Sequence, residues 1–173
     1  MRKFNRILAA VLVVLALTVV IAPAVVRAQG VPDDVYGIPD SKTVVIVMTI
    51  GSKITKIGGL EGHIDAGPQI KWNRTFAPIR FIIEALDGTI AWNGKTRTVT
   101  IVVDTKTIVL VIGRNYALVN GRQVFIDANH AVVPYIQAPG RAMLPMRFIA
   151  EQLGALVRWN STLHRVTLVF VKP

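Results

Sequence analysis

Residues 78–101 read PIRFIIEALDGTIAWNGKTRTVTI, and residues 145–168 read PMRFIAEQLGALVRWNSTLHRVTL. The second string repeats the first at an offset of 67 residues. Pro78 matches Pro145, Arg80 matches Arg147, Phe81 matches Phe148 and Glu84 matches Glu151; Trp92-Asn93 matches Trp159-Asn160, and Val99-Thr100 matches Val166-Thr167. Upstream, Ile50-Gly51 matches Ile112-Gly113 and Ile64-Asp65 matches Ile126-Asp127 at an offset of 62, so the second copy carries about five extra residues around VVPYIQAPG. Two matched segments in order, with one gap between them, mark an internal duplication, and every other feature is read against it.

Each copy has the same order of local signals. Short β-branched strands come first: TVVIVMTI and segments near ITKI and HID in copy one, TIVLVIG, YALV and QVFI in copy two. Asn120-Gly121, between YALV and QVFI, is a strong two-residue hairpin signal. A short helix follows, opened by Pro78 or Pro145. Ile79, Ile83 and Leu86 form its apolar stripe beside Ile82, and Met146, Ala150 and Leu153 do the same beside Ile149. Asp87-Gly88 and Gly154 end the helices, with glycine suited to a left-handed cap. A hairpin closes each copy: TIAW, NGKT, RTVTIVV, and ALVRW, NSTL, HRVTLVF. The predicted class is α+β. It comprises two tandem β-β-α-β-β repeats, residues 43–104 and 105–173, each a small antiparallel β-sheet packed on one short α-helix.

The first 28 residues read as a secretory signal peptide: a basic MRKFNR, an apolar ILAAVLVVLALTVVIA, and Val26-Arg27-Ala28 before Gln29. The alternative is an uncleaved anchor, but the apolar run of about 16 residues is short of the roughly 20 that span a bilayer. Residues 29–42, QGVPDDVYGIPDSK, read as a linker. The expected location is therefore secreted or extracellular, associated with the bacterial cell surface, and not integral to the membrane after cleavage. The formal charge is +10; loss of Arg2, Lys3, Arg6 and Arg27 with the leader leaves 16 basic against 10 acidic residues, or +6. With no cysteine, disulfides, thiolate metal sites, thiol nucleophiles and a lipid-bearing cysteine are excluded.

The string P-x-R-F-I-x-E-x-L, followed by W-N, a turn and T-V-T-I, resembles the copper amine oxidase N-terminal domain family, also called stalk domains. The resemblance covers roughly residues 43–170. It implies a small antiparallel sheet on a helix, and an accessory role on the surface of Gram-positive bacteria without chemistry of its own. Amine oxidase activity resides in a separate large domain carrying a tyrosine-derived quinone and three histidine copper ligands; this chain is too short to hold it, so no catalytic residue carries over. Copy two keeps the family's V-N-G as Val119-Asn120-Gly121 but has Pro139-Gly140-Arg141-Ala142 in place of its N-G-R-T. Copy one departs at Ile57-Gly58-Gly59 and at Trp72-Asn73-Arg74-Thr75.

His63, His130 and His164 are isolated, without the H-x-H or H-x-x-x-H spacing that sets two imidazoles on one face, so neither metal nor other cofactor is expected. Arg80/Glu84 and Arg147/Glu151 have i,i+4 spacing and read as structural ion pairs. A hydrolase would need Glu84 or Glu151 to share a cleft with a second carboxylate; Asp65 and Asp127 are formally available but follow strands, where aspartate makes turns. Trp92 and Trp159 read as packing at the base of each hairpin. Trp72, unmatched in copy two, with Lys71 and Arg74 beside it, reads as the residue that anchors a sugar ring or a protein contact. Arg141 stands with Arg147, Arg158, His164 and Arg165 in a basic cluster, too weak a pattern to predict nucleic acid. Asn73-Arg74-Thr75 and Asn160-Ser161-Thr162 fit the glycosylation sequon.

The function expected from these readings is an exported, non-catalytic module binding a cell-envelope polymer or a surface protein. The alternative is a self-assembling extracellular subunit, a homo-oligomer or fibre built through apolar strand edges. An envelope hydrolase or metal-binding protein comes third.

Overall fold

The structure is a computed structural model that describes residues 42–171; the expected signal peptide, and all of the linker but Lys42, lie outside the described residues. Copy one forms β1 (Thr43–Thr49), β2 (Ile54–Ile57), β3 (Leu60–His63), β4 (Gln69–Lys71), β5 (Arg74–Ala77), α1 (Arg80–Ala85), β6 (Thr89–Asn93) and β7 (Thr98–Val103). Copy two forms β8 (Lys106–Val111), β9 (Tyr116–Val119), β10 (Arg122–Phe125), β11 (Tyr135–Gln137), β12 (Arg141–Pro145), α2 (Met146–Gln152), β13 (Leu156–Asn160) and β14 (Arg165–Val171).

The expected α+β class is corrected. The described residues are 52% strand and 10% helix, in three antiparallel sheets with two short helices. Five strands, not two or three, precede each helix. The pairs missed are β4–β5 and β11–β12, whose short polar-flanked runs (QIK, RTFA, YIQ) lack the β-branched alternation that marks a strand. The helices have six and seven residues, too short to form a layer of their own.

Among the described residues no sheet belongs to one copy. The first runs β13-β14-β1-β2-β3, so copy two's hairpin extends copy one's opening strands. The second runs β10-β9-β8-β7-β6 and makes the reciprocal exchange. The third, β11-β12-β5-β4, takes two strands from each copy. Pairing of β1 with β14 extends from Thr43↔Val171 to Thr49↔Arg165, and four consecutive buried residues of β1, Val45, Ile46, Val47 and Met48, lie in this interior strand. The matching seam, β7 against β8, closes through the turn at Asp104-Thr105.

Backbone hydrogen bonds repeat with the sequence. The Gly51 N–H donates to Pro68 and that of Gly113 to Pro134, each at 2.8 Å; the Ile50 N–H donates to His164 and that of Ile112 to Arg97, each crossing between copies. A single buried cluster joins Ile46, Phe76, Ile101, Ile108, Leu144 and Leu168, residues of both copies and all three sheets.

Local chemistry explains the ends of the elements. Asn120 and Gly121 have φ of 48° and 80°, as a type I′ hairpin requires, and Gly58 and Gly59 repeat this in copy one. Both helices end in a Schellman motif: the Gly88 N–H donates to Ile83 and that of Asp87 to Glu84; the Ala155 N–H donates to Ala150 and that of Gly154 to Glu151. The left-handed residue is Gly154 in copy two but Asp87 in copy one. Gly88 is required for space, since a Cβ there would lie 2.6 Å from Val103 Cγ2 and 2.7 Å from the Val102 carbonyl oxygen. Pro145 is the residue before α2, whereas Ile79 separates Pro78 from α1.

Candidate functional site

Interleaving creates two related grooves. The first lies between α1 with β6–β7 of copy one and the β11–β12 turn of copy two. Its volume is about 400 Å³, and its lining includes His63, Asp65, Arg80, Glu84, Trp92 and Arg141. The second has the same parts with the copies exchanged: Arg147 and Trp159 face Arg74, as Arg80 and Trp92 face Arg141. Ile70, Val157 and Val166 stand where the first groove has Ile136, Ile90 and Val99.

The grooves differ in openness. The second is divided into cavities of about 280 and 50 Å³, with Arg74, Thr75 and Arg147 lining both. Arg74 reaches across to copy two and grips Asp127 with two hydrogen bonds, Nε to Oδ2 at 2.5 Å and Nη2 to Oδ1 at 3.1 Å. The side chains of this pair are 34% and 14% exposed. The Arg74 hydrogen bond holds Asp127 below the usual carboxylate range against the opposing effect of burial; the Asn129 N–H and the charges of Arg74 and Arg147 add to the lowering. The equivalent Arg141–Asp65 pair is a single 2.8 Å contact between side chains 46% and 67% exposed.

The cause is in the loop lengths. Residues 128–133 separate Asp127 from Pro134, where only 66–67 separate Asp65 from Pro68. Asp127 Oδ1 accepts from the Asn129 N–H at 2.8 Å, Asn129 Oδ1 accepts from the Ala131 N–H at 3.1 Å, and buried Val132 fills the small cavity's wall. Copy one has no such plug, and its groove stays continuous.

The hairpin tryptophans, expected to pack inside, are 47% (Trp92) and 39% (Trp159) exposed. Trp92 pairs across the hairpin with buried Val99, and Ile90 with buried Ile101, so its face is the inward one. The two-turn helix is too short to cover the end of the strand, which leaves the indole on the groove wall. The adjacent asparagine shapes the turn: Asn93 Oδ1 accepts from the N–H groups of Lys95 and Thr96, and Asn160 Oδ1 from that of Leu163.

The residue chosen from sequence as the anchor, Trp72, is part-buried in the β4–β5 turn with φ of 50°. Its ring meets Phe76 at 5.7 Å and Tyr135 at 6.1 Å, while the Lys71 ammonium sits 4.3 Å and 4.1 Å from the centroids of Trp72 and Tyr135. Burial pushes the Tyr135 phenol up, and its hydroxyl lies 3.2 Å from Gln69 Oε1. Lys71 and Trp72 are thus held in an aromatic cluster, outside the residues that line the grooves. Arg80 and Glu84 make the i,i+4 contact at 4.0 Å; Arg147 and Glu151 do not close, and the Arg147 charge acts on Asp127 instead.

His130 stacks on Phe125 at 4.9 Å, His164 stands edge-on to Trp159 at 6.4 Å, and His63 lines the open groove. Among the described residues no three histidine, aspartate or glutamate side chains converge on a point that would hold a metal ion. No helix among them is long and apolar enough to cross a membrane.

The family model that matches the chain is the copper amine oxidase N-terminal domain, over residues 56–168 as one span. In copper amine oxidase this domain is a non-catalytic stalk. No curated protein and no solved structure matches the chain.

Proposed function

Because this chain belongs to the copper amine oxidase N-terminal domain family, we propose that it is an exported, non-catalytic module that seats a bacterial cell-envelope component, polymer or surface protein, in the open groove beside Trp92. One observation carries this reading: of two grooves built from equivalent residues, one is divided by a two-bond ion pair and a plugging loop into cavities of about 280 and 50 Å³, and the other is continuous at about 400 Å³. That volume falls within the range of about 300–1,000 Å³ common for ligand sites. Trp92 supplies a flat apolar wall, and Arg141 of the other copy supplies the opposing edge. The matched span is read as two copies of the family unit rather than one. The cross-copy hydrogen bonds and the reciprocal Arg74–Asp127 and Arg141–Asp65 pairs support this.

The test is co-sedimentation of residues 29–173 with purified Gram-positive cell walls. The wild-type chain and Trp159→Ala should pellet with the walls, and Trp92→Ala should remain in the supernatant. Equal retention of all three would remove the open groove from the account.

A second reading, assembly, is favoured by exposed leucines on both edges of one sheet, Leu60 on β3 and Leu156 on β13. Light scattering across a concentration series separates it: a mass rising with concentration supports a homo-oligomer or fibre, and a constant monomer mass rejects it.

A further inference from the structure

Granting the reading of the open groove as the binding site, we infer that its ligand is a neutral sugar chain, with one pyranose ring stacked on Trp92. The polar inventory of the groove selects this class. Arg80 and Arg141 are matched by Glu84 and Asp65, at 4.0 Å and 2.8 Å, so the four charges sum to zero. A polyanion needs guanidinium groups without carboxylate partners, and an apolar peptide needs a groove without four ions in its wall. A sugar ring presents a flat C–H face and a rim of hydroxyls, each of which both donates and accepts.

The groove supplies the complement of both. Trp92, 47% exposed as a residue, lines the groove with its indole. The Arg141–Asp65 pair uses one 2.8 Å contact, which leaves guanidinium N–H donors and carboxylate lone pairs for hydroxyls. Since the two ions already neutralise each other, a hydroxyl arriving between them desolvates no isolated charge. In the second groove the same chemistry is spent internally: Arg74 gives Nε and Nη2 to Asp127, and Asp127 also accepts the Asn129 N–H. The inference therefore assigns sugar recognition to the first groove and a structural role to its twin.

The experiment is isothermal titration calorimetry of residues 29–173 with three neutral tetrasaccharides, the β-1,4-linked oligomers of glucose, N-acetylglucosamine and mannose. A polyuronate and a polyphosphate serve as anionic probes. At least one neutral probe should bind, with affinity unchanged between low and high salt. Trp92→Ala should weaken it about thirty-fold or more, as expected for loss of a central aromatic anchor, and Trp159→Ala should leave it unchanged. Arg141→Met, which keeps the stem and removes the donors, should also weaken binding, and near-UV circular dichroism should confirm that each variant keeps its fold. Binding confined to the anionic probes, with steep salt dependence, would overturn the assignment. So would the absence of binding to every neutral probe. If the walls still retained the chain through Trp92 in that case, the groove would stand with an occupant other than a neutral sugar chain of these types. Loss of both results would remove the groove as well.

Discussion

At the scale of the residue, one substitution pair separates structure from recognition. Arg74 and Arg141 occupy equivalent positions, and each crosses to an aspartate of the other copy. Arg74 makes two bonds to a largely buried carboxylate, so Arg74→Ala should destabilise the fold by about 1–2 kcal/mol. Arg141→Ala removes an exposed pair and should cost no more than about 0.5 kcal/mol. Urea denaturation of the two variants gives the comparison directly; equal losses would mean that the second groove is not locked as described. The same pair sets a pH dependence. The carboxyl of Asp127 lies below its ordinary value in the folded state, so its contribution is fully present above the unfolded-state value of about 3.9 and fades as pH falls through the lower folded-state value. Asp127→Asn should flatten the acid limb of stability against pH below about pH 4, with little change in slope near neutrality.

At the scale of the element, the ends of the helices are where residue identity matters most. Gly88 and Gly154 look alike in the sequence, since each follows a leucine-bearing helix of the same pattern. They sit one position apart in their Schellman motifs. A methyl at Gly88 would press on the β7 backbone and on Ile83 Cγ2, which lies 2.9 Å away, so Gly88→Ala should cost about 1–3 kcal/mol through overpacking. Gly154 has φ of 81° and open space around it, so Gly154→Ala should cost about 1 kcal/mol, from backbone strain alone. Thermal unfolding of both variants would show the difference. A milder effect at Gly88 would mean that the β7–α1 contact is looser than the distances indicate. The helices are legible from their stripes, and Ile79, Ile82, Ile83, Met146, Ile149 and Ala150 are all buried. What the stripes do not reveal is that six or seven residues cover too little of the hairpin to hide its tryptophan.

At the scale of the whole molecule, every sheet depends on both copies. Removing either copy would strip partners from β1 or β8 and from the central four-stranded sheet. The chain should therefore unfold in one transition, with far-ultraviolet circular dichroism and tryptophan fluorescence superimposing across a denaturant series. Two separated transitions would mean that the copies fold independently and that the exchange of hairpins is not the stable arrangement. The facing of Val44 and Phe170 across the β1–β14 seam also matches the facing of Lys106 and Val103 across the covalently closed seam.

The duplication, the type I′ turns at Asn120-Gly121, the helix stripes and the hairpins are written in the sequence because each arises from dihedral preference or periodicity within a few residues. The turn at Asp104-Thr105 is as local, and it has a distant consequence. Two residues between β-branched runs make β7 and β8 antiparallel neighbours, so copy one's hairpin is committed to copy two's strands and β1 is left for β14. Which hairpin closes which sheet is a tertiary matter, because duplicated strands offer nearly equivalent edges and only packing of the whole chain chooses between them. Tertiary structure likewise decides that Trp72 is packed against Tyr135 while Trp92 borders an open groove with Arg141, since these neighbours are remote along the chain.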